Sequence, residues 1–101
     1  MDGFVILARF RVVPGARDAF LAAVGRNAAA SVADEPGCRR FDVLTPDSGD
    51  ADEVVLYEIY ADAAAFDAHL RTPHYAAFRA DTAALVRTGA VERFRLDEHA
   101  K

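Results

Sequence analysis

The stretch Phe4-Val5-Ile6-Leu7-Ala8-Arg9-Phe10-Arg11-Val12-Val13, closed by Pro14-Gly15, decides the architecture. Read as a strand, it places Phe4, Ile6, Ala8, Phe10 and Val12 on one face and Val5, Leu7, Arg9, Arg11 and Val13 on the other. Both faces begin apolar, so one layer of helices cannot be the strand's only cover. Downstream of Pro14-Gly15, residues 16–33 are rich in helix formers, and Phe20, Val24, Ala28 and Val32 recur every fourth residue. A long amphipathic helix is predicted there. Asp34-Glu35-Pro36-Gly37 stops it, with proline unable to continue a helix and glycine free to take the positive φ of a turn.

A second strand, Cys38 to Leu44, follows, and the turn-rich Thr45-Pro46-Asp47-Ser48-Gly49-Asp50 leads into a third, Glu53 to Tyr60. Asp62 reads as the N-cap of a short helix that carries Phe66 and Leu70 on one side and His69 on the other, and that ends near Arg71. Thr72-Pro73 restarts the chain as a cap followed by a first-turn proline. The helix it opens is predicted to run through Tyr75, Phe78, Thr82, Leu85 and Val86, with Gly89 ending it. Val91 to Leu96 is the predicted last strand.

The order β-α-β-β-α(α)-β fits an α+β, ferredoxin-like four-stranded antiparallel sheet with helices on one face. The apolar second face then predicts a homodimer in which two sheets face one another as a dimeric α+β barrel.

Composition narrows the function classes. The 101 residues suffice for a single domain spanning 1–101, and 52% hydrophobic content with a net charge of −4 predicts a packed core rather than disorder. Sixteen acidic residues outnumber twelve basic ones and the arginines are scattered, which argues against nucleic acid. Phe4 to Ala8, the longest apolar run, is too short for a membrane span or a signal peptide. With a single cysteine, Cys38, this predicts a cytoplasmic protein without disulfides.

Candidate chemistry concentrates between Tyr57 and Phe78. His69 and His74 lie five residues apart across Pro73, off the i, i+4 face of a helical metal pair, and with no third ligand evident no metal site is expected. His74, at a helix start, should have a lowered pKa and could serve as a general base; the plain alternative is that it ends a helix or bonds a neighbouring carboxylate. His69 reads more simply as a surface residue. Glu58 and Tyr60 point the same way as Val54 and Leu56, so Glu58 needs a partner, and Arg9, Arg40 or Arg93 on a neighbouring strand could supply one. Phe10, Phe20, Phe41, Phe66, Tyr75 and Phe78 could line an aromatic-binding cavity or simply fill a core.

Glu35-Pro36-Gly37-Cys38, Leu56-Tyr57-Glu58-Ile59-Tyr60, and Ala64-Ala65-Phe66-Asp67-Ala68-His69 leading into Thr72-Pro73-His74-Tyr75-Ala76-Ala77-Phe78 together resemble the antibiotic biosynthesis monooxygenase family, quinol monooxygenase type. The resemblance implies a ferredoxin-like dimer with a pocket in each protomer between sheet and helices. It also implies oxygenation of a quinol-like or other electron-rich aromatic metabolite with no cofactor, since the deprotonated substrate supplies the electrons to oxygen. Carried over, His74 would be the base, Tyr57 and Glu58 would assist it, and Phe10, Phe41, Tyr60, Phe66, His69, Tyr75 and Phe78 would line the substrate site. Ala8, Tyr60 and Arg79 stand where the haem-degrading branch has asparagine, tryptophan and histidine, which argues against haem degradation. Two other readings stay open: a proton-transfer isomerase acting on a small hydroxy-ketone, with Arg40, Arg71 or Arg79 anchoring an anion, and a non-catalytic ligand-binding dimer.

Overall fold

The computed structural model describes residues 3–98. Its elements run β1 (Gly3–Val12), α1 (Arg17–Asp34), β2 (Cys38–Leu44), β3 (Glu53–Tyr60), α2 (Ala63–His69), α3 (Pro73–Thr82) and β4 (Val86–Leu96). The strands form one sheet in the order β2-β3-β1-β4, with every pairing antiparallel. The α+β, ferredoxin-like arrangement expected from the element order is present.

Registers assign the faces. Ile6 lies opposite Glu58, Ala8 opposite Leu56 and Phe10 opposite Val54, and these side chains form the floor of the core beneath the helices. Val5, Leu7, Val55, Tyr57 and Ile59 occupy the other face. The helical roof is anchored by Phe20 and Val24 of α1, which are fully buried. Its buried stripe continues through Asn27, Ala28 and Ser31 rather than through Val32, which is 52% exposed. A strict fourfold spacing drifts around a helix of 3.6 residues per turn, so the fourth repeat leaves the core.

Local signals place the short helices. The Asp62 side chain accepts from the Ala65 N–H at 2.8 Å, and Thr72 Oγ1 accepts from the Tyr75 N–H at 3.2 Å with Pro73 in the first turn. Gly37 has no positive φ; it is needed because a Cβ there would come within 2.5 Å of the Ala65 Cβ. That close approach presses the start of α2 against the end of the α1–β2 turn.

The third helix and the last strand differ from expectation. α3 stops at Thr82, whose hydroxyl donates back to the Phe78 carbonyl, and the chain turns through residues 83–85 into β4 five residues earlier than predicted. Leu85 and Val86 satisfy a helical period, but the Val13 N–H donates to the Leu85 carbonyl and Val86 pairs with Val12 across a register shift. Tertiary pairing overrides local periodicity at this junction. Gly89 therefore lies inside the strand opposite Phe10, where a Cβ would sit 3.3 Å from the aromatic ring.

Candidate functional site

Because the helices cover β1 to β3 and leave β4 open, a cavity of about 1010 Å3 remains between sheet and roof. Its floor is Ile6, Ala8, Phe10, Phe41, Leu56 and Glu58, and β4 adds Val86, Gly89 and Val91 at the open side. Asn27 comes from α1, Phe66, His69 and Leu70 from α2 and its cap, and Tyr75, Phe78, Arg79 and Thr82 from α3. Aromatic rings line the cavity: Phe10 and Phe78 face it and meet each other and the buried Phe20 behind them, edge-on or tilted, at centroid distances of 5.2 to 6.2 Å. Polar groups reach this apolar space at a few points only, the usual layout of a small-molecule pocket.

One of these points is His69, which is 2% exposed and packed among Tyr60, Phe66 and Tyr75. This corrects the reading of His69 as a surface residue on the far side from Phe66: three residues apart, the two share one face of α2, and that face is the buried one. Its Nδ1 lies 2.7 Å from Glu35 Oε2, and the Nε2 of His74 lies 2.5 Å from the same oxygen. Glu35 follows the C-terminus of α1, where the helix dipole disfavours a carboxylate, so it needs donors from elsewhere. Burial works to raise the Glu35 carboxyl pKa, but the hydrogen bonds from His69 and His74 outweigh it and leave the group lowered. An ionised carboxylate only accepts, so each facing imidazole nitrogen carries a proton. For His69 this puts N–H at Nδ1 and the lone pair at Nε2, which has no hydrogen-bond partner among the described residues. Burial lowers the His69 pKa, partly offset by Glu35, so the ring is neutral at neutral pH.

Glu58 is the second polar point. The expected bridge to Arg9, Arg40 or Arg93 does not form among the described residues. Arg9 and Arg40 lie on the opposite face, bonded to Glu92 and Asp42, and the Arg93 guanidinium stacks over Phe4 and Phe66. The partner of Glu58 is the Tyr60 hydroxyl, which donates at 2.6 Å. Desolvation dominates, opposed by that bond and reinforced by the charge of Glu35, and pushes the Glu58 carboxyl up to about 7. Tyr60 is itself raised by burial and by Glu58.

Of the residues singled out from sequence, Phe10, Phe41, Glu58, Phe66, His69, Tyr75 and Phe78 line the cavity. Tyr60 lies beneath the lining and reaches it through Glu58. His74 reaches it only through Glu35 and His69. Tyr57 is on the opposite face of the sheet with Arg40 over its ring. Arg79 lines the cavity, and its guanidinium donates to the Tyr75 hydroxyl at 3.4 Å. The premise that no third ligand accompanies the two histidines is overturned by Glu35, whose oxygen and the two imidazole nitrogens all lie within 4.8 Å of one another. Glu35 and Asn27 carried no role in the sequence reading. For Glu35 the usable signal was an acid placed at the wrong end of a helix; for Asn27 it was a polar residue in phase with Phe20 and Val24.

The molecule is therefore a small antiparallel α+β protein with an aromatic cavity and a carboxylate-held histidine on its wall. Comparison with known proteins makes this specific. Residues 3–81 match the antibiotic biosynthesis monooxygenase family, and the chain belongs to it. It is 37% identical over 81 residues to "Putative monooxygenase Rv0793" of Mycobacterium tuberculosis, covering 80% of this chain and 77% of that protein. The solved structure of Rv0793 superposes with a TM-score of 0.79 at 30% identity, covering 98% of this chain and 97% of that one. A structure from Nitrosomonas europaea described as a "Putative antibiotic biosynthesis monooxygenase" gives 0.82 at 28% identity, covering 94% and 97%. PA3566 of Pseudomonas aeruginosa, at 21% identity and a TM-score of 0.87 over 97% of both chains, shares the fold. Among the described residues no helix is long and apolar enough to cross a membrane.

Proposed function

We propose that the protein is a cofactor-independent monooxygenase of a quinol-like or other electron-rich aromatic metabolite, with His69 as the general base. The observation that carries this reading is the 2.7 Å contact between His69 Nδ1 and Glu35, which leaves Nε2 unprotonated on the wall of an aromatic cavity. In this scheme Nε2 takes a phenolic proton and Glu35 is a positioning residue that holds the tautomer and steadies the imidazolium. His74, the base expected from sequence, supports the same carboxylate from its far side.

The resulting phenolate is electron-rich enough to reduce oxygen without help from the protein. For a hydroquinone the balance closes: ring carbon and oxygen form a C–O bond, the O–O bond breaks, and hydroquinone plus O2 gives hydroxyquinone plus water. All four electrons come from the substrate. Glu58, with a pKa near 7, can donate to the second ring oxygen or take its proton, and Phe10, Phe41 and Phe78 offer edges and faces to the ring.

Oxygen uptake by the purified protein in EDTA, over a panel of hydroquinones and anthrone-like phenols, tests this against an autoxidation blank. Uptake above the blank that collapses in a folded His69→Gln variant supports it; uptake equal to the blank for every compound overturns it. Arg79 at the cavity favours a second reading, proton-transfer isomerisation of an anionic hydroxy-ketone, which the same base would serve without consuming oxygen.

The second face of the sheet, with Val5, Leu7, Val55, Tyr57 and Ile59, is proposed to close against a second copy. Sedimentation should give a dimer for the native chain and a monomer for Leu7→Glu; a native monomer would overturn that assembly.

A further inference from the structure

We propose that Glu35, His69 and His74 form a binding site for a divalent transition-metal ion, zinc being the probe, and that the ion switches the cavity off rather than serving it. Three separate elements deliver the donors: Glu35 from the end of α1, His69 from the last residue of α2, and His74 from the first turn of α3. Both imidazole nitrogens aim at the one oxygen, Glu35 Oε2, at 2.7 and 2.5 Å. Two neutral nitrogens and a carboxylate suit ions such as zinc, iron(II) or copper(II) and suit calcium and magnesium poorly.

With bonds of about 2.1 Å, tetrahedral ligand atoms stand about 3.4 Å apart, so each nitrogen–oxygen pair must open by less than about 1 Å while the two nitrogens, within 4.8 Å of each other, close toward the same spacing. The adjustment can come from the Glu35 side chain, because that residue lies beyond the helix on extended backbone with φ −99° and ψ 112°. The histidines are already oriented: Thr72 Oγ1 donates to the His69 carbonyl at 2.8 Å, fixing the junction between α2 and α3. The ion takes the place of the two protons that now join the imidazoles to Glu35.

That replacement has a chemical consequence inside the cavity. With Nδ1 on the metal, neutral His69 must carry its proton at Nε2, the nitrogen that otherwise faces substrate as a lone pair. The metal-bound state therefore offers an N–H where the metal-free state offers a base. The switch rests on the base assignment made above, whereas metal binding does not, so the two can fail separately.

Equilibrium dialysis of EDTA-stripped protein against zinc chloride, with elemental analysis, is expected to give one zinc per chain at micromolar free zinc, and Glu35→Gln and His74→Ala should each weaken binding by at least about tenfold. No uptake of zinc, or uptake unchanged in both variants, overturns the site. X-ray absorption on the unmutated, zinc-loaded protein keeps the test independent of variant folding. Scattering from two imidazoles supports the site, and a shell without imidazole overturns it. In the assay, oxygen uptake should fall in step with zinc occupancy and return with EDTA; bound zinc with uptake unchanged overturns the switch.

Discussion

Two glutamates enter the interior of this protein, and their surroundings push them in opposite directions. Glu35 sits at a corner where three helix ends meet and receives two imidazole N–H groups on one oxygen. Glu58 stands on the cavity floor, 4% exposed, with one phenolic donor. Burial raises both carboxyl groups, yet the two donors of the corner reverse the shift and the single donor of the floor does not. Glu58 is both the more deeply buried and the less well supplied with donors, and the two factors together set which acid is charged; one fold thus keeps a fixed anion to steady a histidine beside an acid poised near neutrality.

The largest effect is expected at His69, the group the corner holds in place. His69→Gln is expected to lower oxygen uptake by about 10²–10⁴-fold, the usual yield of a general base, with circular dichroism confirming the fold. Next in size is Glu35→Ala, which strands two N–H groups in a nearly buried corner and should cost about 3 kcal/mol in denaturant unfolding. Glu35→Gln keeps one acceptor oxygen and should cost about 1 kcal/mol.

The pH dependence separates the two acids. Glu58 holds its proton more tightly when folded, so its contribution to stability is full below the ordinary carboxyl value of 4.5 and is lost as pH rises through about 7. Glu35 behaves oppositely, contributing above 4.5 and losing that contribution as pH falls through its lowered folded value. His69, lowered by burial, adds a loss of stability as pH falls below 6.5. Thermal melts of Glu58→Gln should therefore show a higher Tm than the native chain at pH 8 and a steeper decline toward pH 5. A native-like profile would show that Glu58 titrates as an ordinary surface acid. The smallest effect is Tyr60→Phe: it removes the 2.6 Å donor, should cost about 1 kcal/mol, and should move the Glu58 midpoint further up in a carboxyl NMR titration.

How much of this was legible in the chain follows from the range of the interactions. The caps at Asp62 and Thr72, the first-turn Pro73 and the alternation in the first and third strands are local, and they appear where the residues predict. Leu85 and Val86 misled because a helical period extends past Thr82, and only their pairing with Val13 and Val12 ends it. The corner was illegible for the same reason, since Glu35 stands 34 and 39 residues from its two histidines. Glu58 was legible as a buried acid in need of a partner, but choosing among Arg9, Arg40, Arg93 and Tyr60 required strand register.

One proton, the one between His69 and Glu35, decides whether His69 can act as a base. A long-range 1H–15N correlation spectrum of the imidazoles at neutral pH in EDTA, with His69 assigned by its loss in His69→Gln, reads that proton directly. We expect His69 protonated at Nδ1 with a pyridine-like Nε2. A His69 ring protonated at Nε2 under those conditions would contradict the base, its positioning by Glu35 and the metal switch built on them.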